Sequence, residues 1–321
     1  MSGAGRLPCP CGAGGGAPFR GNRPKDMFEL IGIPPQALFG QLLLGLINGA
    51  FYALLSLGLS VIFGLLNVIN FTHGAQYMLG AFAAWGLLSY AGLSYWPALI
   101  LAPIAVAIVG LAIERLFLRR LYGYDHLYGL LLTFGIATIL EGVFRQRYGS
   151  SGLPYPIPGL LSGGHNLGFM FLPNYRAWVV VVSLAVCLAT WFLIERTRLG
   201  SYLRAATENA PLVQAFGINV PRMITLTYAF GVGLAGLAGA MAAPIYQVSP
   251  LMGSNLIIVV FAVVVIGGMG SIMGSILTGF GLGIIEGFTK VFYPEASNTV
   301  VFVIMAIVLL IKPAGLFGQT R

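Results

Sequence analysis

The sequence predicts an all-α polytopic membrane protein, and three observations predict it. Hydrophobic residues make up 58% of its 321 positions and charged residues 8%, whereas a soluble domain carries roughly a quarter charged residues to face water. Charge-free runs recur, as from Gln36 to Ile113 and from Met223 to Ile285, and about 20 apolar residues suffice to cross a hydrocarbon core. Small residues also recur every fourth position, at Gly231, Ala235 and Gly239 and again at Gly279, Gly283 and Gly287. Such stripes let membrane helices approach closely.

Residues 1–26, MSGAGRLPCPCGAGGGAPFRGNRPKD, are rich in Gly, Pro and Arg and lack the apolar stretch of a secretory signal. They are expected to form a disordered tail, with Met27 as the working start of a transmembrane domain over 27–321. Apolar segments follow at 38–58, 60–90, 97–117, 127–145, 177–195, 223–246, 255–290 and 298–312, about eight membrane passages in all. Two are too long for one straight helix. The first is interrupted by NVINFTHG (67–74) and the second by GGMGS (267–271), so both are expected to be broken or re-entrant, the form that lines cavities in membranes.

The net charge of +8 comes from arginines in short loops rather than from a basic patch with interleaved aromatics, which argues against nucleic acid as a partner. Arg115, Arg119 and Arg120 lie in one loop, and Arg196, Arg198, Arg204 and Arg222 in another. The positive-inside rule places both in the cytoplasm. The Pro- and Gly-rich connection 145–176 then lies outside as an irregular loop. Eight simple spans would leave the C-terminus outside, against the preference of Lys312 and Arg321, and a re-entrant pair around Gly267–Ser271 reconciles the two. Cys9, Cys11 and Cys187 form neither a zinc spacing nor a disulfide framework.

The cytoplasmic loop 196–222 is punctuated like a built element. Asn209 is suited to cap a helix, Pro211 fits its first turn, Leu212, Val213 and Phe216 make a short apolar face, and Gly217 ends it at C′. Ile218 then falls where it can touch Val213, and Pro221 forbids continuation. A short helix with an apolar face and flanking charges is suited to dock into a groove of another subunit, and the same pattern also serves connectors that lie on a membrane surface.

Polar side chains cluster at the first interruption: Asn67, Asn70, Thr72, His73 and Gln76. Isolated polar groups in a membrane are expensive and mark transport paths, and unwound backbone near 70–74 would offer N–H and C=O groups to a zwitterionic solute. The alternative is interhelical bonding, which stabilises by only about 1 kcal/mol per group. The acidic residues have ready partners at helical spacing, Glu141 with Arg145, Glu286 with Lys290 and Glu195 with Arg198. No Gly-Lys phosphate loop, metal motif or nucleophile elbow occurs in the sequence. No cofactor is therefore expected, and no hydrolysis of ATP by this chain itself.

Four stretches, NGAFYALLSLGLSVIFGLLNVINFTHGAQYMLGAF, RLGSYLRAATENAPLVQAFGIN, VIGGMGSIMGSILTGFGLGIIE and the terminal KPAGLFG, resemble in order and spacing the permease subunits of branched-chain amino acid ABC importers. The resemblance covers nearly all of Phe39 to Gly318 and is greater to the first of the two permeases. It implies that Arg204 to Asn219 matches a loop coupled to the ATPases, with Glu208, Ala215 and Gly217 at matching positions and Arg204, Asn209, Phe216 and Ile218 around them. It also implies a complex with a second homologous permease, two cytoplasmic ABC ATPases and an extracytoplasmic solute-binding protein, in a bacterial inner membrane. The chain departs from the family in its tail and in a shortened outer loop. The expected function is inward movement of leucine, isoleucine and valine by alternating access. Rival readings are a same-family permease for urea, short amides or another amino acid, and a stand-alone secondary transporter or channel, for which the intramembrane charges are largely missing.

Overall fold

The computed structural model describes residues 34–66, 70–122, 124–168 and 170–318. Residues 1–26 and Asn67 lie outside the described residues. Eleven α-helices occur among the described residues: α1 (Pro35–Leu66), α2 (Thr72–Ala91), α3 (Tyr95–Leu116), α4 (His126–Tyr148), α5 (Asn174–Glu195), α6 (Arg198–Glu208), α7 (Ala210–Ala215), α8 (Val220–Tyr246), α9 (Met252–Gly267), α10 (Ile272–Phe292) and α11 (Val300–Ile311). Six of them, α1, α3, α4, α5, α8 and α10, are long and apolar enough to cross a membrane, and α9 and α11 are shorter apolar helices. The fold is all-α and polytopic, as the sequence predicts.

The segment boundaries differ in one respect. The apolar run 38–58 and the start of the run 60–90 form a single helix, α1, because no residue between them breaks the backbone pattern. The expected interruption at 67–74 is shorter than predicted: α1 ends at Leu66 and α2 begins at Thr72, so Thr72, His73 and Gly74 are helical rather than unwound. The second interruption is also present. The Gly268 N–H donates to the Val265 carbonyl at 3.2 Å, and Gly268 and Gly270 have φ of 98° and 84°. Ser271 then caps α10 by accepting the N–H of Gly274 at 3.2 Å.

The second break bears on the conflict over the C-terminus. It makes two helices, α9 and α10, of one apolar segment, whereas the first only moves a boundary between two segments already counted, and the end of the chain lies at the same end of the bundle as α6. There the Leu316 N–H donates to the Ile266 carbonyl at 2.8 Å, and the turn at Gly270 packs on Gly64 of α1. At the opposite end Leu153 and Val248 exchange backbone hydrogen bonds of 2.8 and 2.9 Å. The connection 145–176 is less irregular than its composition predicts, since β1 (Gly164–Asn166) and β2 (Phe171–Pro173) pair there as a small antiparallel hairpin, His165 opposite Leu172. Aromatic rings gather at this end too. Tyr95 packs edge-on against Trp96, Tyr175 and Trp178, as expected of a ring belt at a membrane interface.

Helix α1 is the centre of the bundle. Its most apolar stretch is 72% buried, against 11% for α4 and 22% for α5, whose apolar faces lie largely outside the bundle. The predicted small-residue stripes explain that centrality. A Cβ on Gly283 would overlap the carbonyl of Gly45 and the backbone of Gly49, and one on Gly279 would meet Ala53. On the other side Gly231 meets Gly58 and Ile62, and Gly239 lies on the carbonyl of Tyr77. Backbones touch because no side chains intervene, which is the packing available where lipid removes the hydrophobic drive.

The acidic residues follow expectation with one correction. Arg145 donates to Glu141 at 3.0 Å, and Lys290 pairs with Glu286, which also accepts the Tyr52 hydroxyl at 2.7 Å. Glu195, however, pairs at 3.3 Å with Arg204 rather than with Arg198. The reason is that residues 198–208 form the helix α6 instead of a loop, and this helix carries Arg204 back over the end of α5.

Substituting Gly283 by Leu is expected to wedge α1 from α10 and destabilise the protein by about 1–3 kcal/mol or more. At Gly281 an added Cβ meets nothing within 4 Å, so Gly281→Ala should leave the apparent melting temperature of the detergent-purified protein unchanged or raised while Gly283→Leu lowers it.

Candidate translocation path and coupling surface

Non-helical backbone inside a membrane needs partners for its N–H and C=O groups, and the break before α2 finds them in side chains. The Asn70 carbonyl oxygen Oδ1 accepts the Thr72 N–H at 3.1 Å. The Phe71 N–H donates to Thr133 Oγ1 of α4 at 3.2 Å, and the Thr72 hydroxyl donates to the Thr133 carbonyl at 3.1 Å. Four of the five predicted polar residues, Asn70, Thr72, His73 and Gln76, are brought together here and are essentially completely buried.

A residue that the sequence reading missed organises them. The Tyr228 hydroxyl of α8 accepts from Asn70 Nδ2 and from Gln76 Nε2, both at 3.2 Å. The available signal was spacing, because Tyr228 lies three positions before Gly231 and so falls on the same side of the helix as the small-residue stripe. His73 also reaches across to α1. Its Nε2–H donates to the Leu55 carbonyl of α1 at 3.0 Å, and its ring packs beside Gly58. His73 Nδ1 and Gln76 Oε1 are buried acceptors with no hydrogen-bond donor. The cluster thus binds α1, α2, α4 and α8 around the break and keeps two uncommitted acceptors within it.

Glu114 was also missed, hidden in the sequence by the adjacent Arg115. It is 1% exposed and accepts the Tyr122 hydroxyl at 2.8 Å and the Thr225 hydroxyl at 3.1 Å, which ties the end of α3 to α8.

The second predicted feature, a short helix within the loop 196–222, is joined in the structure by the helix α6 before it, and the two form an elbow. Asn209 ends α6 and caps α7, its Oδ1 accepting the Leu212 N–H at 3.0 Å. Pro211 occupies the first turn. Gly217 stops the helix with φ of 83° and donates its N–H to the Gln214 carbonyl at 2.9 Å, the bond from C′ to C2 of a Schellman ending. The expected apolar face is divided: Val213 is buried, whereas Leu212 is 54% and Phe216 is 78% exposed. Glu208 and Ala215 are exposed beside them, and Ile218 is half-buried.

The elbow is anchored rather than pendant. Gly200 fits against the Ile194 carbonyl so closely that a Cβ would overlap it, and Arg204 donates to the same carbonyl at 3.4 Å. Between α6 and the end of α1 lies a cleft of about 100 Å³ lined by Ser60, Gly64, Glu195, Leu203, Arg204 and Gly270. The elbow therefore abuts the part of α1 that leads directly into the break before α2.

The model of the family described as branched-chain amino acid transport system / permease component matches residues 41–310. The chain belongs to this family. It is 33% identical over 292 residues to the high-affinity branched-chain amino acid transport system permease protein BraD of Pseudomonas aeruginosa, covering 87% of this chain and 95% of BraD. It is 29% identical to LivH of Escherichia coli, with coverage of 87% and 95%. The permease LivM of E. coli is 29% identical over 84% of this chain but only 68% of its own length, so this branched-chain permease family member matches BraD and LivH over more of their length. No solved structure matches the chain. It is a multi-pass membrane permease subunit.

Replacing Tyr228 by Phe removes the acceptor shared by Asn70 and Gln76 and leaves two buried amides short of a partner. The expected loss is about 1–2 kcal/mol, read as a lowered apparent melting temperature of the purified protein.

Proposed function

We propose that the chain is one of two membrane subunits of an importer that carries branched-chain amino acids inward across a bacterial inner membrane. Its relatives BraD and LivH bear the name of that transport system. In this reading a second homologous permease completes the membrane unit, two cytoplasmic ABC ATPases supply the energy, and an extracytoplasmic solute-binding protein delivers the solute. ATP is hydrolysed by those ATPases and not by this chain.

The observation that carries the reading is the elbow α6–α7. A six-residue helix capped at both ends exposes Leu212 and Phe216 at the end of the bundle where the cationic loops lie, and an exposed large aromatic on so short a helix is suited to a groove on another protein. Residues 196–222 form the coupling segment, with Arg204 anchoring it to α5, Glu208 and Ala215 flanking the contact, and Asn209, Gly217 and Ile218 fixing its shape. Closure of the ATPases pushes α6 against the end of α1. The polar turn at Asn70, Thr72, His73 and Gln76 then serves as the hinge of the path, its two unfilled acceptors being available when the packing rearranges. Substrate choice lies largely with the binding protein.

Reconstitution tests the reading. Purified together with its partner subunits and binding protein in liposomes, the transporter should accumulate leucine only with ATP inside the compartment that holds the ATPases. Accumulation by this chain without them would establish a stand-alone transporter instead. At Gly217 an added Cβ meets no atom within 4 Å, so only the backbone conformation resists substitution. Gly217→Val should uncouple ATP hydrolysis from uptake, while Gly217→Asn, which tolerates the left-handed region, should keep most of the uptake. Equal uptake by the two variants would remove Gly217 from the coupling segment.

A further inference from the structure

Beside the two open acceptors of the polar cluster that the sequence singles out, a further buried group without a partner lies one residue along α2. Tyr77 is 1% exposed and its hydroxyl has no hydrogen-bond partner. A buried hydroxyl left unsatisfied costs about 1–3 kcal/mol, so its retention asks for an explanation. Tyr77 lines a cavity of about 290 Å³ bounded by α1, α2, the end of α8 and the start of α9. Sites for small molecules run from roughly 300 to 1,000 Å³, which makes this one suited to a solute of few heavy atoms.

The walls define its chemistry. Phe51, Met252 and Leu256 provide an apolar side, and Asn48, Ser249 and Asn255 provide polar groups. The Asn48 carbonyl oxygen accepts the Tyr246 hydroxyl at 2.8 Å, which leaves the amide N–H₂ of Asn48 open. Asn255 is exposed on α9, where an uncommitted amide facing lipid would be expensive. No charged side chain lines the cavity. Glu286 stands behind Tyr52 and is committed to the Tyr52 hydroxyl and to Lys290. Arg176 and Glu286 both act on the wall residue Tyr246 from behind the lining, with opposite sign, so neither a cation nor an anion finds a net counter-charge here. A solute of zero net charge, with an aliphatic body and both donors and acceptors, would find partners for each part.

From this we infer that the cavity walled by Asn48, Phe51, Tyr77, Met252 and Asn255 is a binding site for a small net-neutral solute with an apolar side chain, the class to which zwitterionic aliphatic amino acids belong. Tyr77 and Asn255 hydrogen-bond its polar groups, and Phe51, Met252 and Leu256 hold its aliphatic part. The inference rests on the transport reading above and adds the residues that meet the cargo. The site adjoins the buried break, since Gln76 of the polar cluster is the chain neighbour of Tyr77. A motion that rearranges that cluster therefore moves a wall of the cavity.

Two measurements on the assembled, reconstituted transporter test it. Tyr77→Phe removes one oxygen and no bulk, so the complex should copurify intact while KM for leucine uptake rises about 2- to 10-fold, the size expected of one neutral hydrogen bond. An unchanged KM would overturn the role of Tyr77. Asn255→Cys should be modified by a membrane-impermeant, water-soluble thiol reagent, with free leucine slowing the modification. The parent chain, which carries Cys9, Cys11 and the buried Cys187, controls for background. Modification by lipid-soluble reagents alone, or at a rate no solute alters, would overturn the site. If the wild-type transporter takes up no leucine but another net-neutral solute protects the thiol introduced by Asn255→Cys, the site stands and the branched-chain reading falls.

Discussion

Contact between the backbones of α1 and α10, and of α1 and α8, is the constraint on which the rest of this structure depends. In lipid no water-driven collapse holds helices together, so close approach and interhelical hydrogen bonds must do so. Glycines at positions 45, 49, 279, 283 and 287 bring α1 onto α10 without intervening side chains. Fixed in this way, α1 presents its outer half to the cavity beside Asn48 and Phe51 and its inner end to the elbow beside Ser60 and Gly64. One helix thus touches both places where the proposed transport cycle needs a response.

The breaks in α1–α2 and α9–α10 obey the same physics in a different way. An interrupted helix exposes amide groups that hydrocarbon cannot satisfy. At the first break Asn70 and Thr133 take up those groups, and Tyr228 holds the amides of Asn70 and Gln76 in turn. At the second, glycines with positive φ and the Ser271 cap do so. Both breaks are therefore built features, and both lie against α1.

Much of this is legible in the sequence because it depends on local rules. Membrane passages follow from apolar length, the helix seams from glycine at every fourth position, and the α7 cap from Asn209, Pro211 and Gly217, whose preferences are set by their own backbones. What escapes the sequence involves partners distant along the chain. Tyr228 meets Asn70 across 158 positions, and nothing near either residue announces the other. Helical spacing favours Arg198 as the partner of Glu195, and only the fold-back of α6 on α5 decides for Arg204. The apolar residues of α7 read as one surface, whereas tertiary contact claims Val213 and releases Leu212 and Phe216. Tyr77 looks like an ordinary aromatic in an apolar run, since an unsatisfied hydroxyl is defined only by what surrounds it.

The thinness of the α1–α10 seam also limits how the molecule can deform. Where side chains separate two helices, rotamer changes absorb sliding. Here carbonyls and α-carbons are interlocked, and a small shift along the axis meets steric overlap at once. The pair accordingly behaves as one stiff spine with few internal degrees of freedom, and changes of shape are directed into the joints beside it, at the two glycine- and asparagine-rich breaks.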